Sequence, residues 1–281
     1  MYRSLEKSGF MKVKIAVVQF KAKQFCPEEN LKKAEDFVKI ASSNADIIVF
    51  PEDFIPGILF RKLEYVDDER RYCKHFQGLA RNYKIDIVPG SIIERCKSGI
   101  YNKTYYIDSR GKVRGEYRKI NLWHPERSYI SPGNKVSVFN TKFGKVGLII
   151  CWDLAFPEIF RSMVKRGVNI VFCPSFWSRE DAGIGVKYNK NSEMAFVDSI
   201  CVSRAFENEI ILVFCNNAGK TRFGSYEITA IGHSQITAPF LGVLRRLRHN
   251  REEMFIQEVD TDILKDAERV YKIKKDVKSL V

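Results

Sequence analysis

Two rhythms of hydrophobic positions alternate along this chain. Short, largely apolar runs recur at KIAVVQF (14–20), DIIVFP (46–51), VGLIIC (146–151), NIVFCPSF (169–176) and EIILVFC (209–215). Runs of this length, rich in Val, Ile and Phe, predict strands covered on both faces. Between them lie charged stretches with helical spacing, at about 28–43, 64–84 and 190–207, and from Pro157 onward. Proline suits the first turn of a helix, so the segment after Cys151 is predicted to turn helical there. Hairpins are predicted where 85–96 and 101–108 flank the turn KSG, and at 136–151 as strand, turn, strand. SRGK (109–112) is a further turn leading into VRGEYRKI (113–120). HSQITA (233–238) and a last hairpin over 242–259 follow, and the chain from 262 is charged and partly helical.

Alternating strands and helices with antiparallel hairpins mixed in predict a layered α/β fold with stacked, mixed sheets. The pattern contains no repeat, no low-complexity segment and no linker. It reads as a single domain over 13–281, preceded by an N-terminal extension over 1–12, because strand-like alternation begins only after Met11. No apolar run approaches the roughly 20 residues of a membrane span. The first residues, MYRSLEKSGF, have no apolar signal-peptide core.

The seven cysteines (26, 73, 96, 151, 173, 201 and 215) are odd in number and contain no CxxC. Reduced thiols in a cytoplasmic protein are the natural expectation. The four histidines show no metal-ligand spacing, so no metal site is expected. Net charge is +13, which raises nucleic acid as a partner. The basic residues are dispersed, however, and the densest run, LRRLRHNR (244–251), is read as a solvated hairpin. Neither nucleic acid nor membrane is expected as a partner.

The chemistry lies at strand ends, where layered α/β folds place their sites. One strand ends at Glu52, another carries Lys119, and a third drives into Cys151. A carboxylate, an ammonium and a thiol are the groups needed for nucleophilic amide hydrolysis: a base, a stabiliser of the oxyanion and an attacking atom. Each has a plain alternative. Cys151 alone reads more readily as a buried structural thiol, Glu52 equally as a solvated strand end, and Lys119 as one of 47 basic residues. Phe176 and Trp177 are core or pocket lining. Cys173 and Cys215 sit inside apolar strands and read as core. His124 is assigned no role, and His233 reads as a structural hydrogen-bonding residue.

PEDFIPG (51–57), YRKINLW (117–123), PERSYISPG (125–133) and GLIICWDLAFPE (147–158), followed by NNAG (216–219) and GHSQITAP (232–239), resemble in order and spacing the motifs of the nitrilase superfamily, the carbon–nitrogen hydrolases. The resemblance covers roughly residues 13–275. It implies a four-layer α-β-β-α sandwich and a Glu–Lys–Cys triad. Glu52 is then the general base, Lys119 the oxyanion-stabilising cation and Cys151 the nucleophile. Glu126 matches a second glutamate near lysine and substrate, and the N–H of Trp152 a second oxyanion donor. Trp152 can wall the pocket, Phe176 and Trp177 stand at another strand end where they are core or further lining, and Asp153 suits a helix cap or dipole contact.

The reaction so implied is hydrolysis of a small non-peptide amide through a cysteine thioester, releasing ammonia and a carboxylic acid without metal or organic cofactor. Aspartate after CW favours amide or carbamoyl substrates over nitriles. N-carbamoyl hydrolysis, nitrile hydrolysis and a non-catalytic binding protein on the same fold stand as alternatives. The family's habit of pairing subunits leads to the expectation of a homodimer or higher homo-oligomer, built on the helices at about 157–166 and 190–207.

Overall fold

Two mixed β-sheets lie face to face in the computed structural model, which describes residues 12–279. The first contains β1 (Lys12–Gln19), β2 (Ile47–Val49), β3 (Asp86–Val88), β4 (Ser91–Cys96), β5 (Gly99–Ile107), β6 (Val113–Arg118) and, from the far end of the chain, β15 (Glu253–Asp260). Its centre is parallel, β1 to β2 to β3, and its flanks are antiparallel. The second sheet runs in the order β14 (Gly242–Arg246), β13 (Gln235–Ala238), β10 (Ile211–Asn216), β9 (Ile170–Ser175), β8 (Gly144–Leu148), β7 (Ser137–Thr141). Its centre, β8 to β9 to β10, is parallel too. β11 (Lys220–Phe223) and β12 (Tyr226–Thr229) form a separate hairpin.

Side-chain alternation assigns the layers. On β1, Val13, Ile15 and Val17 enter the core shared by the two sheets, while Ala16 and Val18 pack with helices. β2 repeats the pattern, with Ile47 and Val49 inward and Ile48 outward. This is why these strands read as unbroken apolar runs: both faces are dry. Helices α1 (Pro27–Ser42) and α2 (Arg71–Tyr83) cover the outer face of the first sheet. α1 does so with Leu31, Ala34, Val38 and Ala41, a spacing that lines one helical face. Pro27 opens α1, Glu28 and Glu29 lie in its first turn and Lys39 in its last, each at the favoured end of the helix dipole. Helices α3 (Pro157–Lys165) and α4 (Ser192–Asn208) cover the second sheet, with α5 (Ile263–Val270) and α6 (Ile273–Ser279) beyond them. The result is the four-layer α-β-β-α sandwich.

Several expectations are corrected. The segment 64–84 is not one helix. A 3₁₀ turn at Leu63–Tyr65 comes first, and Asp67 then pairs by backbone with Ile93 and Arg95 at the edge of β4 before α2 begins at Arg71. Glu69 and Arg70, both at positive φ, make the break. The region 242–259 is not a hairpin. β14 pairs with β13 in one sheet and β15 with β1 in the other, so the basic run crosses between sheets. Arg246 is held there by Gln235 and Asp198, and Gln19 donates to the carbonyls of His249 and Arg251. Residues 1–11 of the expected extension lie outside the described residues, and Lys12 already pairs with Asp260. The hairpin β11–β12 and a 3₁₀ stretch at Arg179–Lys187 had no sequence expectation at all. The apolar residues Ile159, Phe160 and Met163 of α3, and Val197, Ile200 and Cys201 of α4, are buried within this chain, while Phe196 stays 39% exposed. No helix among the described residues is long and apolar enough to cross a membrane.

The sheets approach closely at Gly115 on β6. A Cβ there would lie 2.1 Å from Cδ1 of Phe139 on β7. Gly115→Ala is therefore expected to force the ring or the strand aside, costing about 1–3 kcal/mol. Thermal or urea unfolding measures it, and an unchanged midpoint would show that the sheets have slack at this edge.

Candidate active site

Five strands contribute to the site at their carboxyl ends. β2 leads into Glu52, β6 into Lys119, β8 into Cys151, β9 into Phe176 and β10 into Asn217. Glu52 and Lys119 belong to the first sheet and Cys151, Phe176 and Asn217 to the second, so the site bridges the two. The seam is hydrogen-bonded: Glu52 N–H donates to the Ser175 carbonyl at 3.3 Å, and Asn217 Nδ2 donates to the carbonyls of Glu52 (2.7 Å) and Ser175 (3.2 Å).

At the centre, Lys119 Nζ lies 2.9 Å from Glu52 Oε1 and 2.8 Å from Glu126 Oε2. Lys119 is 2% exposed. Asn102 on β5 donates from Nδ2 to Glu52 Oε1 (2.9 Å) and to Glu126 Oε1 (3.1 Å). The second carboxylate oxygen of Glu52 accepts the N–H of Phe176 at 2.8 Å. Glu126 Oε2 also accepts the Trp123 N–H at 2.7 Å.

Cys151 sits beside this cluster at φ +46, in the left-handed region. A non-glycine residue there is strained, and such strain persists only where the surroundings enforce it. Its Sγ lies 3.6 Å from the Phe176 carbonyl oxygen. The Phe176 residue thus presents its N–H to the glutamate and its C=O to the thiol. Asp153 enforces the turn. It is fully buried and does more than the helix cap expected of it: it accepts from Ile150 N, Asn121 N, Asn121 Nδ2 and the Tyr117 hydroxyl. The cysteine turn is thereby tied to the segment that carries Lys119.

The protonation states follow from burial and neighbours. Burial pushes the Cys151 thiol well above its ordinary value, and the adjacent Glu52 charge adds to that against the pull of Lys119. Burial also raises Glu52, with Lys119 opposing and Glu126 reinforcing. Burial acts against the Lys119 ammonium, yet Glu126 and Glu52 outweigh it and hold the lysine well above its usual range. Burial lifts Asp153 to about 6 despite its four donors. The site therefore holds a thiol next to a carboxylate of raised basicity and a firmly charged ammonium. That set can pass a proton from sulfur to carboxylate and stabilise a negative oxygen.

These groups open on a cavity of about 790 Å³. Glu52, Lys119, Glu126, Cys151, Trp152, Phe176 and Trp177, all singled out in the sequence, line it together. Trp152 packs between Trp123, edge to face (ring centroids 4.6 Å), and Trp177, tilted (5.6 Å). Trp177 in turn donates Nε1–H to Glu193. Cys173 and Cys215 are fully buried, and His233 bonds Asp198 at 3.0 Å, as read from the sequence. Sequence reasoning missed Asn102, Asn217, Asp53 and Tyr129, and the mouth residues Glu180, Asp181 and Tyr226. Asn102 had only a faint signal, an amide in a strand that also carries Lys103 and Thr104. The mouth residues had none, since they come from the two unexpected elements.

Known proteins resemble the chain over nearly its whole length. The model of the carbon-nitrogen hydrolase family matches residues 14–269. A probable nitrilase, C965.09, of Schizosaccharomyces pombe is 31% identical over 270 residues, covering 93% of each chain. The 2-oxoglutaramate amidase of Bacillus subtilis is 30% identical over 262 residues, covering 92% of this chain and 94% of its own. The crystal structure of Saccharomyces cerevisiae Nit3, a member of branch 10 of the nitrilase superfamily, superposes with a TM-score of 0.78 at 26% identity, over 92% of this chain and 93% of that one.

Asp153→Asn puts an amide donor where four donors converge. It is expected to cost about 2–4 kcal/mol of stability. It should also slow alkylation of Cys151, read as iodoacetamide labelling of the folded protein. Normal stability and labelling would remove Asp153 as the anchor of the turn.

Proposed function

The chain belongs to the carbon-nitrogen hydrolase family, and on that premise we propose that it hydrolyses a small non-peptide amide with Glu52, Lys119 and Cys151 as its working groups. The observation that carries the reading is the buried ammonium of Lys119, held 2.9 Å from Glu52 and beside a strained cysteine at one end of an aromatic cavity.

The chemistry proceeds in two halves. Glu52 takes the proton of the Cys151 thiol as sulfur attacks the amide carbon. The carbonyl oxygen becomes an oxyanion that faces Lys119 Nζ and the N–H of Trp152. Collapse breaks the C–N bond, and Glu52 returns the proton to nitrogen, which leaves as ammonia. A thioester on Cys151 remains. Water then attacks the thioester carbon while Glu52 accepts its proton, the C–S bond breaks, and the carboxylic acid departs as the thiol is restored. The raised basicity of Glu52 suits this traffic, because a general base works best with a pKa near the operating pH. Glu126 keeps Lys119 charged and aimed, and Trp152, Phe176 and Trp177 wall off water.

An ammonia-release screen over small amides, carbamoyl compounds and nitriles tests the reaction, and silence towards all three classes would sink it. Cys151→Ala is expected to abolish release while the circular dichroism spectrum is retained. Glu52→Gln should slow single-turnover acylation by roughly 10² to 10⁴. Lys119→Ala should cost a comparable 10² to 10³, and stability as well, since two buried carboxylates lose their cation.

The pH profile supplies a further check. Protonated Glu52 cannot accept the thiol proton, so kcat/KM rises with pH through its raised pKa. The acid limb is therefore expected above the ordinary glutamate range. A limb at ordinary carboxylate values would assign the base elsewhere.

A further inference from the structure

Asp53 follows Glu52 directly and takes no part in that chemistry. It lines the same cavity with only 9% exposure. Its backbone is at φ +50, a left-handed position that non-glycine residues adopt at a cost. Oδ1 receives one long hydrogen bond, 3.5 Å from Ser91 Oγ. Oδ2 accepts none from any described residue. A carboxyl that deep, with an oxygen open to the cavity, is an expensive feature unless something comes to meet it.

The groups facing it are Glu52 from its own loop, Lys119 from the end of β6, and Glu126 and Tyr129 from the segment that follows. The lysine is already committed to its two glutamates, so Asp53 has no cation of its own. Burial, reinforced by Glu52, holds its proton on well above the usual carboxylate range while the pocket stands open. Glu180 and Asp181 line the same cavity, each with one oxygen on a backbone N–H, of Thr229 and Ser178 respectively. Besides Lys119, the one cation among the described lining residues is Arg61, an exposed side chain whose Nε–H donates to Ser128 Oγ. The whole chain carries +13, so this acidic lining is not inherited from composition. The aromatic side chains that line the same cavity suit a cation as well.

We propose that the pocket selects amides whose acyl chain ends in a protonated amine, with Asp53 as the specificity-determining carboxylate that receives the ammonium. This rests on the amide-hydrolase reading and adds the substrate class to it. An arriving ammonium favours the ionised form of Asp53, supplies the missing partner, and balances the two-carboxylate, one-lysine cluster beside it. An anionic acyl chain meets the same groups as repulsion, which is where the discrimination arises.

The test uses three amides of matched length: δ-aminovaleramide, hexanamide and adipamate. Binding to the full-length Cys151→Ala protein is followed by tryptophan fluorescence, and kcat/KM is measured on the unmodified enzyme. The amino amide is expected to bind at least roughly ten-fold tighter than hexanamide, with adipamate weakest, and the preference should shrink with added salt. Asp53→Asn should bring the amino-amide-to-hexanamide ratio close to one, and Asp53→Glu should restore part of it. A preference for adipamate, which would put Arg61 in charge, overturns the inference. So do equal affinities for all three, no binding of any, or a ratio that survives Asp53→Asn. Should that variant fail to fold, the charge order of the unmodified pocket still decides. Ammonia released from all three at equal kcat/KM keeps the amide-hydrolase reading and ends this one. Charge-selective binding without ammonia release does the reverse.

Discussion

A lysine ammonium buried between two glutamates is the constraint on which the rest of the site depends. Removing such a charge from water is costly, and two carboxylates within 3 Å offset that cost only if their own remaining oxygens are also satisfied. Asn102, the Phe176 N–H and the Trp123 N–H meet that demand. Each comes from a different part of the chain, so satisfying one ammonium draws together β5, the end of β9 and the segment after β6. Glu52, Lys119 and Cys151 are thus positioned by a network of polar requirements at the edge of an apolar core, not by the core alone.

The sandwich makes that network possible. Parallel strands at the centre of both sheets deliver their carboxyl ends to the same edge, and the two sheets face each other across a dry interior. The cysteine turn needs a second anchor because its backbone is strained. Asp153 supplies it from within the turn and reaches across to Tyr117 on β6 of the other sheet and to Asn121 just beyond it. Rigidity of the nucleophile and placement of the lysine are therefore coupled through one buried carboxylate.

The cavity's charge runs against the charge of the chain. A strongly basic protein lines its pocket with Asp53, Glu180 and Asp181 beyond the central cluster. Local field, not net charge, governs what enters a site walled by low-dielectric aromatic rings. The basic residues outside it find ordinary uses, as Arg246 does at Asp198 and Lys103 at the buried Glu94.

Much of this was legible in the sequence, for a physical reason in each case. Strands buried on both faces must be apolar throughout, so 14–20, 146–151, 169–176 and 209–215 announced themselves, and with them the layered α/β class. The strand ends offered Glu52, Lys119 and Cys151 as candidates, and the motifs around them, shared with the carbon–nitrogen hydrolases, singled them out. What only the tertiary structure decided were relations between distant segments. Strands β14 and β15 read as a hairpin, yet each found a better partner in a different sheet, and local pattern carries no information about that choice. Asp67 left its helical pattern to pair with the edge of β4. Asn102 looks like an isolated amide, and Asn217 like one member of the NNAG motif, until two sheets bring them to Glu52. Asp53 is an anonymous neighbour of a glutamate until burial shows an open carboxyl in a cavity. Periodicity encodes which face of a segment is dry; which dry faces meet, and which polar groups are stranded between them, is fixed only when the whole chain packs.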